Sequence, residues 1–83
     1  VRVEQRPVGS SNDGWLRSHL SAGRPVITIV RHADDSAYNH FVIVTGVSNK
    51  GVQFYDPNPA RIEAVNVPTW RHRYAGGGLV IYP

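Results

Sequence analysis

The chain has 83 residues, carries a net charge of +3 and contains no cysteine. This length fits one small domain or a segment of one, and the lack of cysteine excludes disulfides, cysteine-based zinc sites and a thiol nucleophile from this chain. No apolar run approaches the roughly 20 residues that cross a bilayer, so we expect no membrane span. The basic residues are scattered, and only Arg71-His72-Arg73 forms a local cluster. We interpret this cluster as a solvent-exposed face and expect no nucleic-acid partner.

A short helix is predicted after an irregular or edge segment over residues 1–10. In "SSNDGWLRSHLSAGRP", residues 10–25, a polar side chain within 11–13 can accept the amide hydrogens of the first turn. The side chains that fall on one side are Trp15, Leu16, His19 and Leu20. Gly23 favours a left-handed end to the helix, and Pro25 prevents its continuation.

Five strands are predicted after the helix, separated by polar or proline-containing turns. They cover residues 25–30, 40–47, 52–56, 61–67 and the final stretch "GGGLVIYP". Residues 31–39 form a polar loop, and residues 48–51 form a turn in which Asn49 and Gly51 can take positive φ. The segment "TWRHRY" is expected to form a short helical turn.

One helix followed by about five strands with short connections predicts an α+β fold with an antiparallel sheet. The strands over 26–30 and 41–44 are apolar on both faces, whereas one helix covers one side only. Something else should therefore cover the second face. Because the first residue is Val1 and not Met, we expect residues 1–83 to be a processed product or a fragment, forming a single domain or a segment of a larger one.

The run "NHFVIVTGV", residues 39–47, places a histidine where an apolar strand begins. His40 shares a face with Val42 because side chains alternate along a strand. If the hairpin turn is centred on Asn49, Asp56 lies opposite Val42, on the same face as His40 and within bridging distance. A register slip of one residue would separate the two side chains.

The pair of His40 and Asp56 has the composition needed for proton transfer. Histidine titrates near neutral pH, and a carboxylate on one ring nitrogen fixes the tautomer, stabilises the imidazolium and leaves the other nitrogen to face a nucleophile. The structural alternative is a histidine at the rim of a strand and an aspartate that starts an Asp-Pro turn.

The segments "LRSHLSAGRPVITIV" and "NHFVIVTGVSNKGVQFYDPNP" together resemble the second half of a papain-like cysteine peptidase. The most similar type is the bacteriocin-processing peptidase that cuts after double-glycine leaders. In that family a helix precedes a "GxPVI" strand, a "HFVVVTG" strand with the catalytic histidine, and a returning strand that ends in "DP". These motifs correspond here to Gly23 with residues 25–27, to residues 40–46 and to Asp56-Pro57, so the resemblance covers about residues 15–59.

This resemblance implies the C-terminal, sheet-rich half of a papain-like fold, with His40 as general base and Asp56 as the residue that orients it. The family's cysteine and the glutamine before it are not in this sequence: Gln5 lacks the expected pattern, and Asn39 stands where glycine is common. Cleavage needs a thiolate activated by the histidine. The implied function is amide hydrolysis of a peptide or protein substrate by a Cys-His-Asp triad. Its cysteine would lie on an upstream segment or a second chain, which would also cover the open face of the sheet.

Two other functions stay open. A papain-like module without the cysteine would bind a peptide substrate or a partner protein and cleave nothing. The other alternative is a small interaction domain with no peptidase ancestry. The resemblance favours an exported or secreted bacterial protein, similar to toxin-associated peptidases, and leaves the substrate open.

No cofactor or metal is expected. The segment "HADDSAYNH" contains His32, Asp34, Asp35 and His40, but their spacing matches no metal-binding pattern. The run Gly76-Gly77-Gly78 lacks the Lys and Ser/Thr of a phosphate loop and precedes a strand. No serine stands in a G-x-S-x-G elbow, which argues against a serine nucleophile.

Overall fold

An antiparallel sheet of six strands with two short helices makes up the part of the chain that the structure, a computed structural model, describes: residues 2–7, 13–31 and 40–82. The elements in chain order are β1 (Arg2–Arg6), α1 (Asp13–Ser21), β2 (Val26–Val30), β3 (His40–Ser48), β4 (Gly51–Asp56), β5 (Arg61–Val65), α2 (Val67–Arg73) and β6 (Gly78–Tyr82). The strand order is β1-β6-β2-β3-β4-β5, and every neighbouring pair is antiparallel. The predicted α+β class is confirmed, with one strand and one helix more than expected.

The additional strand is β1, which forms one edge of the sheet. It pairs with β6 along its whole length, from Arg2 opposite Tyr82 to Arg6 opposite Gly78. Of the two forms predicted for this segment, irregular or edge, the edge form is observed. The pairing brings the first and last strands of the chain side by side.

The predicted first helix is present as α1. Leu16 and His19 are buried in it, on the side expected from the sequence. The helix ends as predicted, because Gly23 has a φ of 78° and its N–H donates to the Leu20 carbonyl at 3.0 Å. Residues 11 and 12 and the side chain of Asp13, predicted to cap the first turn, lie outside the part of the chain that the structure describes.

The strand predicted over residues 61–67 is too long, because β5 ends at Val65. Asn66 Oδ1 accepts a hydrogen bond from the Thr69 N–H at 2.9 Å and so caps α2. Pro68 lies in the first turn of that helix, where its missing N–H needs no partner. The predicted helical turn is therefore a full short helix. Neither described helix is long and apolar enough to cross a bilayer.

The β3–β4 hairpin closes with a two-residue turn of Asn49 and Lys50 between Ser48 and Gly51. Of the two residues predicted to take positive φ, Gly51 does so, at 154°, and Asn49 does not. A side chain on Gly51 would collide with the carbonyl oxygen of Val65 on the neighbouring strand. The turn and the approach of β5 therefore both depend on glycine at this position.

A bulge between Val44 and Gly46 shifts the hairpin pairing by one residue. Beyond the bulge, Val44 lies opposite Phe54. Continuing that register places Asp56 opposite Val42, as the sequence predicts, although the centre of the turn differs from the predicted one.

Both helices pack on one side of the sheet, which we call the helix side. Leu16 of α1 and Trp70 of α2 contribute to the same buried cluster. The strand residues of that cluster are Val26, Val30, Val42, Val44, Val52, Phe54 and Val80. These residues alternate along their strands, so every second side chain enters one core between the helices and the sheet.

The opposite side of the sheet carries a continuous apolar surface, which we call the apolar face. It consists of Val3, Ile27, Ile29, Phe41, Ile43, Tyr55, Ile62, Leu79 and Ile81. Among them, Val3, Phe41, Ile62 and Ile81 are each about half exposed or more, at 61%, 49%, 55% and 58%. The apolar side chains on this side were expected from strands that are apolar on both faces, and no helix in the described residues covers them.

Glu4 of the edge strand β1 is the hydrogen-bond acceptor in a polar cluster between β1, β6 and α1. Its carboxylate accepts from Tyr82 Oη at 2.6 Å and from Trp15 Nε1 at 3.2 Å, and it lies 2.7 Å from His19 Nε2. Because Arg24 Nε donates to His19 Nδ1 at 2.9 Å, the proton of the neutral ring is on Nε2, facing Glu4. Hydrogen bonds from Tyr82, Trp15 and His19, in that order, lower the pKa of Glu4 to about 2.

We expect this cluster to make the protein less stable in acid through Glu4. Since the pKa of Glu4 is lower in the folded chain than its usual 4.5, the ionised carboxylate stabilises the fold above pH 4.5, and that contribution is lost as the pH falls towards 2. In Glu4→Gln the free energy of unfolding should therefore fall less steeply over this range than in the wild type. Urea unfolding at pH 6, 4.5, 3 and 2 measures the difference. Equal slopes in the two proteins would show that Glu4 ionisation does not stabilise the fold.

Candidate active site

His40 and Asp56 lie at the same end of the β3–β4 hairpin, as the first residue of β3 and the last of β4. His40 pairs with Val30, a buried core residue, so its side chain is on the helix side. His40 Nε2 is 2.8 Å from Asp56 Oδ1, and the two side chains are 11% and 8% exposed. The two residues singled out from the sequence are therefore in direct contact.

Asp56 is held in place by the chain that follows it. The Asn58 N–H donates to Asp56 Oδ1 at 3.0 Å, an Asx turn at the Asp-Pro step. Burial alone would raise the pKa of Asp56, but the hydrogen bond with His40, the Asn58 N–H and the charge of His40 together hold that pKa below its usual value. Asp56 is thus a carboxylate at neutral pH and can stabilise an imidazolium.

The orientation of the imidazole determines which ring nitrogen can exchange a proton with a nucleophile. Since Nε2 faces Asp56, a proton from a nucleophile would have to be exchanged at Nδ1. The carboxylate at Nε2 fixes the orientation of the ring. The pair can therefore act as a general base followed by a general acid.

The pair opens into a cleft of about 360 Å³ on the helix side. It is lined by His40, Asp56, Asn58, Pro59, Arg61, Glu63 and Arg73. Exposed Arg61 and partly buried Glu63 form an ion pair at the rim, with 3.6 Å between the nearest nitrogen and oxygen. Arg61 is the more exposed partner, so its side chain is able to rearrange around a ligand, whereas Glu63 also interacts with Asp56.

The expectation of a solvated basic cluster over Arg71-His72-Arg73 is wrong for one of its members. Arg71 and His72 are exposed, but Arg73 is buried, at 8% exposure, and lines the cleft. The available signal was the spacing from Trp70 to Arg73, since residues three apart lie on the same side of a helix. Arg61 was also missed, although its pairing opposite Asp56 follows from the β4–β5 register.

The other residues considered from the sequence do not join the site. His32, Asp34, Asp35 and Asn39 lie outside the described residues. Gln5 is exposed on β1, at the far edge of the sheet from β4. Within residues 2–7, 13–31 and 40–82, no group of three metal-binding side chains is present.

Comparison with known proteins leaves the relationships of the chain open. No family model, no curated protein and no solved structure matches it at a significant level. The resemblance to papain-like peptidases therefore stays a prediction from the sequence motifs. The geometry around His40 and Asp56 is the remaining basis for a functional assignment.

Proposed function

We propose that this chain is the histidine- and aspartate-bearing part of a papain-like cysteine peptidase, similar to those that process double-glycine leaders. It would hydrolyse an amide bond of a peptide or protein substrate. The observation that supports this proposal is the contact of 2.8 Å between the nearly buried His40 and Asp56 at the edge of an open cleft. The cysteine would come from an upstream segment or from a second chain.

The proposed reaction uses His40 twice. In the first step Nδ1 takes the proton of the cysteine thiol, Asp56 stabilises the imidazolium, and the thiolate attacks the substrate carbonyl. The tetrahedral intermediate collapses as the C–N bond breaks, and the imidazolium returns its proton to the leaving amine. Water, deprotonated by His40, then hydrolyses the thioester, which releases the acid and the free thiol.

The faces of the sheet restrict how the cysteine can arrive. His40 and Asp56 are on the helix side, whereas the apolar face is on the opposite side. A segment that only covered the apolar face would not reach His40. The cysteine must therefore approach the cleft from the helix side. A single missing segment could supply this cysteine and also cover the apolar face only if it passed around the sheet. Otherwise two separate segments are required.

The proposal is tested by identifying the missing nucleophile. The protein is isolated from its natural source, and every polypeptide that co-purifies with this chain or continues it is sequenced by mass spectrometry. We expect a segment with a cysteine at the start of a helix, and iodoacetamide should alkylate that cysteine and abolish cleavage. An assembly without cysteine that still binds a peptide would contradict the enzyme and favour the inactive binding module.

A further inference from the structure

Arg73 is a buried cation held rigidly beside the His40–Asp56 pair. Its Nε donates to the Arg31 carbonyl at 3.0 Å, and the Arg31 N–H donates back to the Arg73 carbonyl at 2.8 Å. The guanidinium carbon lies 5.6 Å from the centre of the Phe54 ring. These contacts tie the end of α2 to the end of β2 and fix Arg73 in the wall of the cleft.

Among the described residues that line the cleft, Arg73 is the charged side chain without a direct ion-pair partner. Asp56 is in contact with His40 at 2.8 Å, and Arg61 forms an ion pair with Glu63 at 3.6 Å. In the part of the chain that the structure describes, no carboxylate lies within 4.0 Å of the Arg73 guanidinium. Because a buried charge without a counter-ion is costly, this position favours binding of an anion from outside the chain.

We propose that the cleft binds a carboxylate, with Arg73 as its counter-ion and as the specificity-determining residue of the site. The planar guanidinium matches the geometry of a carboxylate and is already oriented, so little conformational freedom is lost on binding. The carboxylate belongs to a peptide, either on an acidic side chain or at the C-terminus. Carboxylate binding requires only the cleft, whereas the role of that group as part of a cleaved substrate rests on the proposed function.

Binding is tested by nuclear magnetic resonance with the ¹⁵N-labelled protein and three blocked peptides. Acetyl-Ala-Ala-Asp-amide carries only a side-chain carboxylate, acetyl-Ala-Ala-Ala carries only a terminal one, and acetyl-Ala-Ala-Asn-amide carries none. We expect one acidic peptide to shift the amide signals of Asn58 and Arg61 in a saturable way. The neutral peptide should bind about 10- to 100-fold more weakly, the range given by charged hydrogen bonds.

The variants assign this binding to Arg73. Arg73→Met should reduce the affinity for the acidic peptide to that for the neutral one, and Arg73→Lys should restore part of it. Arg71→Met is the matched control, since Arg71 is exposed on the same helix, and it should leave the affinity unchanged. The amide spectrum of each variant reports whether it is folded. Equal affinity for acidic and neutral peptides, or equal losses in Arg71→Met and Arg73→Met, would overturn the proposal.

Failure of this inference is distinguishable from failure of the proposed function. Cleavage by the complete assembly without preference for acidic peptides would overturn carboxylate recognition and leave the peptidase intact. Binding of the acidic peptide without any cleavage by an assembly that contains a cysteine would overturn the peptidase and leave carboxylate recognition intact.

Discussion

In the complete protein, His40→Ala is expected to lower kcat/KM for peptide cleavage by about 10²- to 10⁴-fold, the usual contribution of a positioned general acid-base. The variant removes the base that would activate the cysteine and the acid that would protonate the leaving amine. Asp56 loses its partner in this variant but keeps the hydrogen bond from the Asn58 N–H, and the His40 backbone remains in β3, so we expect the fold to persist with reduced stability. Cleavage kinetics with circular dichroism on the same samples measure both effects.

The control for this substitution is His72→Ala. His72 is exposed on α2, so its loss should leave cleavage unchanged. Asp56→Asn keeps the shape of the side chain but removes its charge, and it should lower cleavage by less than His40→Ala. Equal cleavage by wild type and a folded His40→Ala variant would exclude His40 as the base.

Phe54→Ala is expected to lower the free energy of unfolding by about 3–5 kcal/mol, the usual loss for a fully buried phenylalanine. Phe54 has no solvent exposure, and its ring centre lies 6.0 Å from that of Trp70. The substitution would leave a cavity between α2 and the sheet, beneath Arg73. A domain of this length has a total stability of only about 4–12 kcal/mol, so urea unfolding should show a large shift in the midpoint.

Phe41→Ala provides a matched control on the adjacent strand. Phe41 is 49% exposed on the apolar face, so its removal takes less buried surface from the core. We expect a loss of less than about 1.5 kcal/mol, since a half-exposed side chain has only part of its transfer free energy to lose. Similar losses for the two variants would mean that another segment covers the apolar face in the protein as measured.

The strands and the first helix could be predicted because their signals are local. The run "PVITIV" contains β-branched residues that prefer strands, and Gly23 marks the end of α1 through its own backbone conformation. The end of β5 was predicted two residues too late, because Asn66 and Val67 continue the alternating pattern of a strand. The hydrogen bond from the Thr69 N–H to the Asn66 side chain shows that a helix begins there instead.

The candidate site could be predicted in part. Proximity of His40 and Asp56 followed from alternation and an assumed register. The spacing from Trp70 indicates the side of α2 on which Arg73 lies, but the contact of Arg73 with Arg31 and the cluster around Glu4 could not be predicted, because they join distant parts of the chain. Glu4 and Tyr82 are 78 residues apart in sequence, and Arg73 and Arg31 are 42 apart. No local pattern specifies such pairs before the topology is known.

The bulge in β3 shifts the register of the hairpin by one residue, and the His40–Asp56 contact depends on this shift. Continuing the pairing of the turn without the bulge would place Asp56 opposite Ile43, and the two side chains would project to opposite sides of the sheet. The extra residue between Val44 and Gly46 therefore determines that His40 and Asp56 project to the same side of the sheet, although it belongs to neither of them. A residue inserted into or deleted from the turn would break the contact, unless a compensating change at the bulge restored the pairing of Asp56 with Val42.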